Sequence, residues 1–270
     1  MEQRNNLPNT DLCLSRLAFG TASLHHLISS HSRRELLAAA VSQGITHFDT
    51  APIYGFGLSE RELGEVLAAE PSLTVASKVG LYPPTNEVAT WSGVIGRKAV
   101  GKLYPPLSKV NIDFSVRTAE ASLGSSLRRL RRERLDILFL HEPNIDLIET
   151  EEWHKWLCKE RDRGRLRAFG IAGAITHIEP FLSVTSPLAQ VIQTADSIER
   201  READRLLHAQ RPLQITYGYL ASAIRSGSHL EPREVLIRAL QRNQTGTILV
   251  STRYKQHLSD YSSILKLDRK

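Results

Sequence analysis

Four ionisable side chains fall at or just beyond the ends of three short apolar runs: Asp49 and Tyr54 after Thr46 to Phe48, Lys78 in Leu73 to Gly80, and His141 in Leu135 to Pro143. An acid, a phenol, an ammonium and an imidazole suit the movement of a proton in step with a hydride. Hydride delivery to a carbonyl carbon leaves charge on the oxygen, which a donor within hydrogen-bond reach must quench. Tyrosine, with a pKa of about 10, is a reluctant acid unless its phenolate is stabilised. A lysine ammonium beside it lowers that pKa, and an aspartate keeps the ammonium charged and in place. A neutral histidine can donate to the substrate oxygen without competing for the transferred proton. In reverse, the tyrosinate is the base for alcohol oxidation. Singly, each has a structural explanation: Asp49 capping a loop, Lys78 neutralising an acid, His141 ending a strand, Tyr54 covering an edge. The four together, on successive strand ends, make a catalytic group.

The elements that must position them alternate along the chain: a short apolar run, a polar turn, then a helical pattern, which implies a parallel sheet. Strands are expected at Leu17 to Ala22, Thr46 to Ala51, Leu73 to Gly80, Leu135 to Pro143, Leu166 to Gly173, Leu188 to Ser197, Leu213 to Leu220 and Gly246 to Arg253. Helices fit between and after them at Arg33 to Gln43, Ser59 to Glu70, Ser115 to Glu133, Glu151 to Arg163, Thr176 to Val184, Arg201 to Gln210, Glu231 to Asn243 and Tyr254 to Lys266. Ser59 and Glu62 read as a capping box, and Gly44 and Gly164 as left-handed helix ends. Eight such pairs close a (β/α)₈ TIM barrel, an α/β fold whose strand C-termini carry the site. No G-x-G-x-x-G follows any of these strands; Gly55 Phe56 Gly57 is a fragment that reads as a turn into a helix.

Residues 1–270 are expected to form one barrel domain with a long flap loop at about 81–114. The prolines and aromatics of that loop suit an ordered cover over the barrel mouth, with Trp91 as a candidate substrate contact. Hydrophobic content of 41% and charged content of 24% are those of a globular chain. No apolar stretch approaches the ~18 residues of a membrane span, and the polar start MEQRNNLPNT carries no export signal, so the expectation is cytoplasmic with no membrane partner. Cys13 and Cys158 read as reduced packing residues. The formal charge is +6, densest over Arg128 to Arg134. Leu123, Leu127 and Leu130 keep helical spacing beneath that run, which makes it a solvated helix face and argues against a nucleic-acid groove. Asp49 and His141 lack the clustered ligands of a metal-dependent hydrolase, so no metal is expected.

At these residues the sequence resembles the aldo-keto reductase family. Phe48 Asp49 Thr50 Ala51 with Tyr54 Gly55, then Glu60 and Leu63 Gly64, Ser77 Lys78, and Leu140 His141 are similar to its successive signatures. The resemblance implies NAD(P)H-dependent interconversion of a carbonyl and its alcohol, with Asp49, Tyr54, Lys78 and His141 catalytic and a dinucleotide bound extended, without a glycine fingerprint. It implies cofactor contacts at Gly20, Thr21, Asp49, Gln193 and Tyr217, Gln193 holding the nicotinamide amide and Tyr217 stacking on its ring. Ser251, Thr252, Arg253 and His257 resemble the adenosine phosphate segment, which favours NADP over NAD. The substrate would be a small aldehyde, ketone or aldose, and Asp49 to Glu60 most resembles the aldose dehydrogenase branch.

Departures stand beside that match. The fifth strand ends Ile171 Ala172 Gly173, where the family commonly has a serine and an asparagine that help hold the nicotinamide amide. Ser251, His257 and Tyr261 replace its usual glycine, glutamine and asparagine, and the stretch after Tyr217 is short. The depleted amide site motivates an alternative of another class, an NADPH-binding regulatory or interaction protein with little turnover. The sequence does not set the oligomeric state.

Overall fold

A computed structural model of the chain describes residues 4–84, 92–93 and 110–267. Trp91 and most of the flap at 81–114 lie outside the described residues. The first elements are two short strands, β1 (Arg4–Asn6) and β2 (Cys13–Ser15), paired antiparallel. The strands β3 (Leu17–Gly20), β4 (His47–Asp49) and β5 (Thr74–Val79) follow, then β6 (Leu81–Tyr82) paired antiparallel with β7 (Asn111–Ile112) at the base of the flap. After them come β8 (Leu135–His141), β9 (Leu166–Gly173), β10 (Val191–Ala195), β11 (Ile215–Tyr217) and β12 (Thr247–Val250).

Strands β3, β4, β5, β8, β9, β10, β11 and β12 pair parallel in that order and close on one another as a barrel. All eight sequence-expected strands contain one barrel strand each. Burial explains why they read as apolar runs. In β9 seven of eight residues are buried, as expected of a parallel sheet covered on both faces.

The helices are α1 (Ser30–Ser42), α2 (Leu58–Ala69), α3 (Val116–Leu130), α4 (Thr150–Asp162), α5 (Ile175–Ser183), α6 (Asp204–His208), α7 (Tyr219–Ser226), α8 (Pro232–Arg242) and α9 (Lys255–Leu267). The main core lies between strands and helices and includes Phe48, Leu63, Leu123, Trp153, Phe169 and Leu236. Gly44 and Gly164 take the positive φ their helix ends require, 85° and 75°. The basic run is built into the fold: Arg129 is buried and pairs with Glu60 at 2.6 Å, Arg131 pairs with Glu65, and Arg132 donates to the carbonyls of Glu70, Pro71 and Leu73. Among the described residues no helix is long and apolar enough to cross a membrane.

Several expectations need correction. Ser59 lies inside α2, whose N-cap is Gly57, and donates to the carbonyl of Thr21; Glu62 is taken by Arg33 and Arg34. No capping box forms, because the chain enters the helix through a left-handed glycine that leaves no side chain to cap with. Cys13 is exposed on the β1–β2 hairpin, so it is no packing residue. The strand expected to reach Leu220 ends at Tyr217 and turns through Gly218 into α7. The hairpin itself has no sequence forecast. It carries Leu7, Leu12 and Leu14, all buried, against Ile137, Phe139, Val191 and Ile215, and so plugs the barrel end opposite the site.

Candidate active site

The C-terminal ends of the barrel strands bring the four residues together, as parallel register requires. Asp49 ends β4, Lys78 sits one residue from the end of β5, and His141 ends β8. Tyr54 arrives from a 3₁₀ turn spanning Tyr54–Gly57. Behind it Gly55, Phe56 and Gly57 all take left-handed backbone, with φ of 59°, 54° and 86°. That conformation is cheap only for glycine, and a Cβ on Gly55 would meet that of His25 at 2.6 Å. The Gly55 Phe56 Gly57 fragment therefore folds as a tight reversal that fixes Tyr54 before α2.

Lys78 is the hub. Its ammonium pairs with the Asp49 carboxylate and donates to the Thr50 carbonyl at 3.0 Å and to the Tyr54 hydroxyl at 3.3 Å. Both members of the Lys78–Asp49 pair are 3% exposed, so the charges are desolvated and stand only because each is answered. Burial works to discharge Lys78, but Asp49 and Tyr54 outweigh it and hold the ammonium above its ordinary value. For Tyr54 the outcome differs from the sequence expectation. Burial raises the phenol more than Lys78 lowers it, with Asp49 and Glu142 adding to the rise, so Tyr54 rests protonated. Burial, with a smaller push from Lys78, lowers the His141 imidazole to about 3, which keeps it neutral. Its ring meets that of Tyr54 edge-on at 6.0 Å, and its Nδ1 is buried without a hydrogen-bond partner.

These four line a cavity of about 340 Å³ together with Gly20, Gln193 and Tyr217. Gln193 donates from Nε2 to the Asp49 Oδ2 at 2.8 Å, so one amide N–H is already committed to that carboxylate. Thr21 does not line the cavity: it is fully buried, and its hydroxyl donates to the Asp49 carbonyl at 3.1 Å. A second cavity of about 850 Å³ is lined by Thr252, Arg253 and His257 and shares Leu220, Ala221, Leu236 and Ser251 with the first. The two adjoin at these shared residues, with Asp49, Tyr54, Lys78 and His141 on the first and an arginine on the second, an arrangement that an extended dinucleotide could span. Ser251 and Ser23 share a hydrogen bond of 2.8 Å. The Thr252 hydroxyl is taken by His257 Nδ1 at 3.0 Å and Tyr254 N at 3.1 Å, which fixes the entry to α9, whereas Arg253 is exposed beside the cavity.

Among the cavity residues missed in the sequence, Glu142 is the one that carries a charge. Glu142 follows His141 and lines the same wall as Ala172 and Gly173. An acid directly after a strand-end histidine was the available signal. Among the described residues no cluster of three or more His, Cys, Asp or Glu could hold a metal ion.

The aldo/keto reductase family model matches residues 16–179. The chain is 32% identical to the D-threo-aldose 1-dehydrogenase of Pseudomonas sp. over 173 residues, 61% of this chain and 52% of that protein. It thus spans about half of that relative's length. The glycerol dehydrogenase of Gluconobacter oxydans has the same fold, with a TM-score of 0.73 at 23% identity over 97% of this chain and 90% of that one. The fold is shared too with an aldo-keto reductase from Klebsiella pneumoniae in complex with NADPH, with a TM-score of 0.66 at 15% identity over 98% and 90% of the two chains.

Proposed function

The chain belongs to the aldo/keto reductase family, and from that premise we propose that it is an NADP-dependent oxidoreductase interconverting an aldehyde, ketone or aldose with its alcohol. The observation that carries the proposal is the Lys78 hub, which joins Asp49, Thr50 and Tyr54 in one buried network at the floor of a cleft. A bound nicotinamide dinucleotide supplies or accepts the hydride. In reduction, Tyr54 gives its proton to the carbonyl oxygen as charge develops there, and the phenolate left behind is stabilised by the Lys78 ammonium 3.3 Å away. Asp49 keeps Lys78 charged, and Gln193 keeps Asp49 oriented. His141, neutral, donates from Nε2 to the same substrate oxygen and fixes its approach.

Arg253 stands at the far cavity, where a forked guanidinium contact to a phosphate would favour NADP over NAD. The NADPH held by the Klebsiella reductase supports the same cofactor class. The likeness to D-threo-aldose 1-dehydrogenase supports an aldose as the substrate and oxidation as the direction. A regulatory protein with little turnover would not need the complete donor system assembled here.

The test is titration with NADPH and NADH, followed by turnover on a panel of aldehydes, ketones and aldoses. The expected result is tighter NADPH and turnover on at least one of the three substrate classes. Binding without turnover on any of them would overturn the enzymatic reading.

A further inference from the structure

The proton chemistry above leaves one carboxylate of the cavity unused. Glu142 is set into the wall by three features. Its φ is 46°, a left-handed backbone that a glutamate rarely adopts. Its N–H donates to the Ala172 carbonyl at 2.7 Å, and its Oε2 accepts from the Ala174 N–H at 3.0 Å. A Cβ on Gly173 would lie 2.6 Å from that Oε2 and 3.2 Å from the Glu142 Cα, so the carboxylate occupies the space a side chain at 173 would need.

The charge balance of the cavity gives this placement its meaning. Asp49 and Lys78 cancel as a pair, His141 is neutral, and Glu142 is left as the net charge among the lining side chains. It is 33% exposed, so its field is partly screened and partly retained. His177 is the neighbouring ring, its Nε2 3.7 Å from Oε2 and 45% exposed. A net negative wall beside the site of hydride exchange does not treat both redox states of a nicotinamide alike: the oxidised ring is a cation and the reduced ring is neutral.

We infer that Glu142 selects the redox state of the cofactor, its carboxylate favouring the oxidised dinucleotide over the reduced one and so biasing the protein toward alcohol oxidation. The inference rests on the reading that this cavity takes the nicotinamide end of a dinucleotide.

Dissociation constants for NADP⁺, NADPH and 2′-phospho-ADP-ribose, which lacks the nicotinamide, are to be measured by calorimetry on the wild-type protein and on Glu142→Gln. Glu142→Gln should weaken NADP⁺ relative to NADPH by about tenfold, the scale of one partly screened charge at close range, and leave 2′-phospho-ADP-ribose unchanged. Gly173→Ala, which crowds the carboxylate out of its place, should move the ratio the same way. An unchanged ratio in Glu142→Gln would overturn the inference, as would equal loss of all three ligands, which marks a structural residue. If wild-type protein binds neither dinucleotide more tightly than 2′-phospho-ADP-ribose, the nicotinamide reading itself falls, and the inference with it.

Discussion

Lys78 reaches Tyr54 twice: its ammonium donates to the hydroxyl at 3.3 Å and lies 4.9 Å from the centre of the ring. In the proposed mechanism the proton donor and the group that stabilises its conjugate base are therefore a preorganised pair. Burial raises the phenol, so Tyr54 keeps its proton until a substrate oxygen needs it, while Lys78 limits how far the phenol rises. Such a pair suits reduction at neutral pH and oxidation at higher pH, where the phenolate is easier to reach.

Replacing Tyr54 with Phe removes the hydroxyl and keeps the ring against His141. Turnover in both directions should fall by about 10²- to 10⁴-fold, the usual contribution of a positioned proton donor. Affinity for NADPH should hold, because the ring and the cavity wall remain. Steady-state turnover and a cofactor titration on the same preparation check this; full activity in Tyr54→Phe would remove Tyr54 from the mechanism.

Lys78→Met acts on stability as well as on chemistry. Asp49 would keep only the Gln193 amide as a side-chain partner in a site 3% exposed. An uncompensated buried carboxylate costs about 3–5 kcal/mol, which chemical denaturation would read. The Tyr54 phenol would rise further once Lys78 no longer pulls it down, so any residual oxidation should require higher pH than in the wild type.

The barrel was legible because it depends on repetition: eight apolar runs, each buried on both faces, survive a one-residue error in any boundary. The convergence of Asp49, Tyr54, Lys78 and His141 was legible for a related reason, since strand ends in such a barrel share one rim. What the sequence hid depends on backbone conformation and on very short pairings. The β1–β2 hairpin has three-residue strands, too short for a period to register, and only its burial of Leu7, Leu12 and Leu14 shows its purpose. Ser59 and Glu62 had the right spacing for a cap, but Gly57 at φ 86° starts the helix two residues too early for it. Glu142 fell inside the run expected as strand, Leu135 to Pro143, and only its left-handed φ just past the end of β8 and the missing side chain of Gly173 place its carboxylate on the cavity. Thr21 had the right neighbours, Gly20 and Ala22, yet just past the end of β3 its hydroxyl is spent on the Asp49 carbonyl.

Two histidines set the acid limit of the fold. Burial, more than the charge of Lys78, lowers both His47 and His141 to about 3, from an ordinary 6.5. Between those values the unfolded chain binds protons that the folded chain refuses. Their contribution to stability is therefore full above about pH 6.5 and is lost progressively as pH falls toward 3. The expected slope is about 1.4 kcal/mol per pH unit for each histidine. Denaturant titrations between pH 7 and 4 on wild type, His47→Gln and His141→Gln should give the two variants a shallower dependence; three parallel lines would show that the rings are charged in the folded state.

On the proposed reading, Arg253 is the residue that separates NADP from NAD. It is exposed beside the 850 Å³ cavity, on the turn that the Thr252 hydroxyl fixes through Tyr254 N and His257. A fixed turn with a free guanidinium is suited to read a phosphate, since the entropy of placing the backbone is already spent. Charge-assisted hydrogen bonds contribute about 1.5–3 kcal/mol, so Arg253→Ala should weaken NADPH by about 10- to 100-fold. NADH, which lacks the 2′-phosphate, should change little. Parallel titrations with both cofactors check the difference, and an equal effect on the two would assign the phosphate to another cation along the cleft.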